Sequence, residues 1–196
     1  MEILIQKRIR AKEPIFICTL LILLTVLCEL PRFLLLVQAE SQFEEYQVKA
    51  AFLYNFAKFV EWPSGTFHDS TSPTKICVLG KDPFGEALDS LRNKNIGSRK
   101  LIIERLRRGD SLDKCQLLFI SDSEKNNLPE ILRGVKKSPI LTVGDMKGFV
   151  QSGGIINFIS KGGQVSFEIN VDAAERSTLK VSSQLLQVAN IFREKH

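Results

Sequence analysis

Histidine is nearly missing from this sequence: His68 and His196 stand far apart, and together with the cysteines they offer no ligand spacing for a metal. Also missing are the dinucleotide glycine pattern and the P-loop pattern, so neither nucleotide-binding fingerprint is present. No nucleophile–base pairing and no paired carboxylates stand out, which leaves no positive argument for an enzyme and no catalytic residue or cofactor to name. The charge excess is small, 27 Lys and Arg against 22 Asp and Glu. That is too mild to argue for nucleic acid. The nearest approach to a basic patch, Arg105, Arg107 and Arg108, has no interleaved aromatics and reads as a solvated loop. Internal repeats, low-complexity tracts and a linker long enough to split the chain are absent as well.

Long apolar runs are confined to the beginning. Lys7, Arg8, Arg10 and Lys12 form a basic region, Ile15–Leu27 an apolar one, and Val37-Gln38-Ala39 fits a small-residue cleavage site before Glu40. The run is shorter than the ~20 residues a spanning helix needs. Extending it through Val37 would bury Glu29, Pro31 and Arg32. The expectation is a cleaved export signal over 1–39 and one domain over 40–196 with no stable membrane span. The alternative is an uncleaved anchor. Cys28 does not fit a lipidation site, because Leu27 before it is too bulky.

Two cysteines then remain, Cys77 and Cys115, both in apolar runs that read as strands. In an exported chain such a pair is either a bridge between neighbouring strands or two buried thiols on separate ones.

Along the domain, residues 41–60 predict a helix. Phe43, Tyr46, Ala50, Leu53, Ala57 and Val60 share one face, and Phe52, Phe56 and Phe59 form a second stripe beside it. Glu45 and Lys49 can pair across one turn on the polar strip that is left. An apolar arc this wide calls for burial between the sheet and another helix, or for a partner subunit. Glu61-Trp62-Pro63 ends the helix.

Lys75–Gly80, Arg99–Leu106, Cys115–Ser121 and Ile140–Val143 read as strands, with helices from Pro83 to about Asn93 and over Glu124–Val135. Strands alternating with helices argue a mostly parallel α/β sheet with flanking helices. A brief helical segment carrying Phe149 and Val150 is expected next, ended by Gly153-Gly154. Ile155–Ser160 and Gln164–Val171, separated by Lys161-Gly162-Gly163, read as an antiparallel hairpin. Ala173–Phe192 reads as a closing helix through Val181, Leu185, Val188 and Phe192.

One loop sits where open α/β sheets bind ligands. Gly80, Lys81, Asp82 and Gly85 follow the first sheet strand and could hold a small molecule at a helix start. A capped turn, with Asp82 as N-cap and Pro83 as first helical residue, explains the same residues without a ligand. Asp82, Asp122 and Thr142 also lie at strand positions reminiscent of a phospho-acceptor domain. Yet Gly80-Lys81 stands where paired acids should hold magnesium, and Ser121, Asp122 and Asp145 read as helix caps.

Six segments in order, Lys49–Pro63 (KAAFLYNFAKFVEWP), Cys77–Gly85 (CVLGKDPFG), Cys115–Ser123 (CQLLFISDS), Leu141–Asp145 (LTVGD), Phe149–Phe158 (FVQSGGIINF) and Val165–Asn170 (VSFEIN), closely resemble the YfiR family, and Ser182–Ala189 (SSQLLQVA) matches its closing helix. The resemblance implies a non-enzymatic periplasmic regulator. It would hold a membrane-bound diguanylate cyclase, a GGDEF protein, inactive by binding its periplasmic region, and so lower cyclic di-GMP and biofilm formation. It implies that Cys77 and Cys115 form a disulfide, with redox state as a possible input, and that the protein is a homodimer. A second cysteine pair found in some relatives has no counterpart here. Within this reading, Phe149, Ile155, Asn157, Phe158 and Glu168 are the expected partner contacts. The rival reading is a periplasmic small-molecule-binding protein using the Gly80–Gly85 loop.

Overall fold

The computed structural model describes residue 40 and residues 42–194. The expected leader, its cleavage site and Cys28 lie outside the described residues. The chain divides into two compact units, Met1–Gln42 and Phe43–His196, and the fold below is that of the second.

Helix α1 covers 42–59 and gives way at Val60 to a two-residue strand, β1 (Val60–Glu61). The main sheet is then laid down by β2 (Thr74–Leu79), β3 (Asn95–Ile96), β4 (Arg99–Leu106), β5 (Leu117–Ile120), β6 (Leu141–Gly144), β7 (Ile156–Lys161), β8 (Gln164–Asn170) and β10 (Asn190–Phe192). Between them lie α2 (Glu86–Asp89), a 3-10 turn (Asp122–Asn127) running into α3 (Leu128–Val135), α4 (Val171–Arg176), β9 (Lys180–Val181) and α5 (Ser183–Gln187). The spatial order of the eight strands is β10-β8-β7-β6-β5-β2-β4-β3. All neighbours are parallel except the β7–β8 hairpin and the short β3–β4 pair. The fold is therefore mixed α/β with a mostly parallel sheet and a late antiparallel hairpin, as the strand–helix alternation predicts.

Both faces of the central strands are dry, which is why their sequences run apolar without alternation. Ile76, Val78, Leu117 and Phe119 point to one face, where α1 contributes Leu53, Phe56 and Ala57. Cys77, Leu79, Leu118 and Ile120 point to the other, covered by Leu128, Leu132 and Val135 of α3. Helix α1 lays its phenylalanine stripe on the hairpin: Phe56 meets Phe167 edge-on at 4.9 Å and stacks with Phe158 at 5.6 Å. The arc is thus covered by sheet, while Phe43 and Val48 stay 48% and 46% exposed.

Four expectations are corrected. The helix after Pro83 is only α2, with Gly85 rather than Asp82 at its N-cap; Asp82 instead accepts from the Phe84 amide in a local turn. Residues 146–153 form turns rather than a helix. Asp145 caps nothing there, because α1 claims its carboxylate. Finally, 173–192 is not one helix. Thr178, at a φ of 57°, breaks it, and the remainder becomes β9 paired with β1, then α5, then β10 paired parallel with β8. Val188, expected inside, is 68% exposed.

Candidate functional site

Strand β6 stops early. It pairs with β7 only at Val143–Ile156 and Gly144–Asn157, so β7 and its hairpin partner run on without it. The turn that follows Gly144 folds back beside them. Between turn and hairpin lies a groove of about 420 Å³ lined by Asp145, Lys147, Gln151, Asn157, Ser160 and Glu168, among others. It sits beyond the carboxyl ends of the parallel strands, where α/β folds place their binding surfaces.

Beneath one wall is a charged group that the sequence places on the polar strip of α1, paired with Glu45. Lys49 is 1% exposed. Its Nζ donates to Asp145 Oδ2 at 2.5 Å, pairs with Glu45 one turn away, and lies 4.6 Å from the centre of the Tyr46 ring. Tyr46 also donates to Asp145 Oδ2, at 3.0 Å, and Ser160 Oγ donates to Glu45 at 2.7 Å. Burial pushes the Tyr46 hydroxyl well above the usual tyrosine range, and the Asp145 charge adds to the effect, so it stays a donor. For Glu45, burial acts upward, but the hydrogen bonds from Lys49 and Ser160 outweigh it and hold the carboxyl below its usual range. A lysine clamped between two carboxylates is a tie between α1 and the β6 turn, not a free amine. The cluster offers charge and shape rather than a nucleophile.

Asn157 makes the second tie. Its Oδ1 accepts from the Met146 amide at 3.1 Å, and its Nδ2 donates to Glu168 Oε1 at 3.1 Å. Turn and hairpin are held at a fixed separation, with Glu168 facing the groove.

The structure brings the five expected contact residues into one neighbourhood but gives them different stations. Phe149, Ile155 and Phe158 are buried, although Phe158 also borders the groove. Asn157 is buried at the junction, and Glu168 is half-buried on the rim. Sequence reasoning missed Asp145, Lys49 and Tyr46. The Glu45–Lys49 spacing was the visible signal, but Asp145 lies 96 residues from Lys49.

The Gly80–Gly85 loop spends its polar groups on its own chain. Gly80 has a φ of 91°, and a Cβ there would meet Ser123 Oγ at 2.5 Å. The Lys81 amide donates to Ser123 Oγ at 2.9 Å. Arg105 fills the rest, donating to Asp82 Oδ2 at 2.7 Å and to the Gly85 carbonyl at 3.2 Å.

Cys77 and Cys115 are bonded, with Cα atoms 5.9 Å apart. The bridge joins β2 to the chain just ahead of β5, within the apolar layer under α3. Among the described residues, no group of three or more His, Cys, Asp or Glu could hold a metal.

A family model described as YfiR/HmsC-like matches residues 46–190. The chain belongs to the YfiR/HmsC-like family. The match begins at Tyr46 and runs through the hairpin to Asn190, so it takes in Tyr46, Lys49 and Asp145, the disulfide and the whole groove. No curated protein matches the chain. Among the described residues of this YfiR/HmsC-like protein, no helix is long and apolar enough to cross a membrane.

Proposed function

We propose that this protein is a non-enzymatic periplasmic regulator, released from a signal peptide over 1–39. It represses an inner-membrane diguanylate cyclase by binding the cyclase's periplasmic region, which lowers cyclic di-GMP and biofilm formation. Membership of the YfiR/HmsC-like family supports the class. The observation that carries the reading is the groove between the Asp145–Gln151 turn and the β7–β8 hairpin. It has a rigid floor, set by Lys49 and Asn157, and a rim of Lys147, Ser160 and Glu168. That suits recognition of a polar peptide surface rather than turnover of a substrate.

Repression then works by population shift: the complex favours the cyclase's inactive state, and weakening the complex releases it. Of the five expected contacts, Glu168 and the edge of Phe158 touch the partner, while Phe149, Ile155 and Asn157 hold the surface they sit on. A homodimer belongs to this reading, with Phe43 and Val48 of α1 as apolar surface for the second copy.

The test is capture from detergent-solubilised envelope with the tagged domain. The expected result is recovery of a diguanylate cyclase by the native protein and at least tenfold less by Glu168→Arg at unchanged thermal stability. Recovery of no cyclase overturns the function; equal recovery by both proteins overturns the groove.

A further inference from the structure

A second cleft lies on the other side of the 151–153 turn. It has a volume of about 410 Å³ and is lined by Arg133 and Lys136 from the end of α3, by Gln151 and Ser152, and by Arg176 and Glu194. Three cations thus face one carboxylate. That carboxylate is held in a complete receptor geometry. Arg176 forks onto it, with Nη1 to Oε2 at 2.7 Å and Nη2 to Oε1 at 2.6 Å. Asn170, with no exposed surface, adds Nδ2 to Oε1 at 2.9 Å. A paired guanidinium fork with a buried amide alongside is the donor arrangement that recognises carboxylates bidentately.

One of the two donors is held independently of Glu194. Asn170 is the N-cap of α4, its Oδ1 accepting from the Ala173 amide at 2.8 Å, and its Nδ2 also donates to the Val150 carbonyl at 2.9 Å. Glu194 instead follows a three-residue edge strand that pairs with β8 alone. It is tied further by its amide to Asp172 and by the Arg193–Asp172 pair, both near the surface. Opening so short a stretch costs little compared with global unfolding. Among the described residues, Arg133 and Lys136 make no ion pair, so the cleft keeps two positive charges beyond the one that Glu194 answers.

We infer that this cleft is a binding site for a small dicarboxylate, with Glu194 as its built-in stand-in. One carboxylate of the ligand replaces Glu194 on Arg176 and Asn170, and the second meets Arg133 and Lys136. The cleft shares Gln151 with the groove but does not depend on the repressor reading.

Calorimetric titration of the full domain with glutarate, acetate and inorganic phosphate tests this. Glu194→Gln, which removes the competing charge and keeps the shape, is expected to bind glutarate at least tenfold more tightly than the native protein. In that background, Arg133→Ala with Lys136→Ala should lower glutarate affinity to that of acetate, and Arg176→Lys should abolish both. A thermal melt of each variant establishes that it is folded, and glutarate should raise the melting temperature of Glu194→Gln. The inference is overturned if Glu194→Gln binds glutarate no better than the native protein. It is equally overturned if the Arg133 and Lys136 changes leave glutarate binding intact, or if phosphate binds as tightly as glutarate.

Discussion

The ring of Phe149 lies between Gly144 and Gly154 so closely that a Cβ on either glycine would overlap it. Neither glycine has a positive φ; what each supplies is room. Phe149 is the apolar plug that fastens the Asp145–Gly153 turn, and with it one wall of the groove, to the layer holding the disulfide. Gly144→Ala or Gly154→Ala should therefore destabilise by roughly 1–3 kcal/mol through overpacking. Phe149→Ala should cost about 3–5 kcal/mol by emptying the same space. Urea denaturation measures both. Combining Gly154→Ala with Phe149→Leu should recover part of the loss, a non-additivity that separated sites would not show.

Removing Lys49 should be costly for an electrostatic reason. Lys49→Met fills the space but leaves Glu45 and Asp145 without the cation between them. Breaking a buried pair in this way costs about 3–5 kcal/mol. Adding Asp145→Asn to Lys49→Met should return a measurable part of that, and a double-mutant cycle by denaturant unfolding reads it.

The Cys77–Cys115 bridge should behave as a staple. It closes a sequence separation of 38 residues between buried positions. Its loss should lower stability by roughly 3–4 kcal/mol. Because both residues are buried, mild reductant should reduce the bridge no faster than the domain opens. Thiol labelling after timed exposure to dithiothreitol, with and without low urea, checks this.

Acid should loosen the closing segment. The Arg176 fork, then the Asn170 amide, hold the Glu194 carboxyl below the usual glutamate range. A depressed carboxylate adds stability above its unfolded value, and that contribution is lost as pH falls through the folded one. The native protein should therefore lose stability below about pH 4.3 faster than Glu194→Gln does. Melting temperatures of the two, taken between neutral pH and pH 3, should converge as Glu194 protonates.

The central sheet was legible because β2, β5 and β6 are apolar runs bounded by turn residues, and because glycines mark the β7–β8 turn. The close of the chain was not. Val181, Leu185, Val188 and Phe192 keep a helical spacing, but Val181 is drawn to Val60 and residues 190–192 to β8, so pairing with distant strands overrode the local period. No glycine or proline marks the break at Thr178. The groove was half legible. Phe149, Ile155 and Phe158 stood out in the sequence, but only Phe158 borders the groove, and the stop of β6 that opens it has no mark in the local pattern. The Glu45–Lys49 pair was legible, but the burial of Lys49 was not, because the second carboxylate, Asp145, comes from another part of the chain.

The pairing of Val60 with Val181 and the seating of Phe56 on Phe167 mean that the first helix of the domain completes its cover only near the end of the sequence. On a ribosome or emerging from a pore, α1 comes out ahead of the strands that complete its packing. Contacts so distant along the chain slow folding, since the loop between them must close before they gain anything. The phenylalanine stripe of α1 stays uncovered during that wait, and it is the segment a holding chaperone would meet.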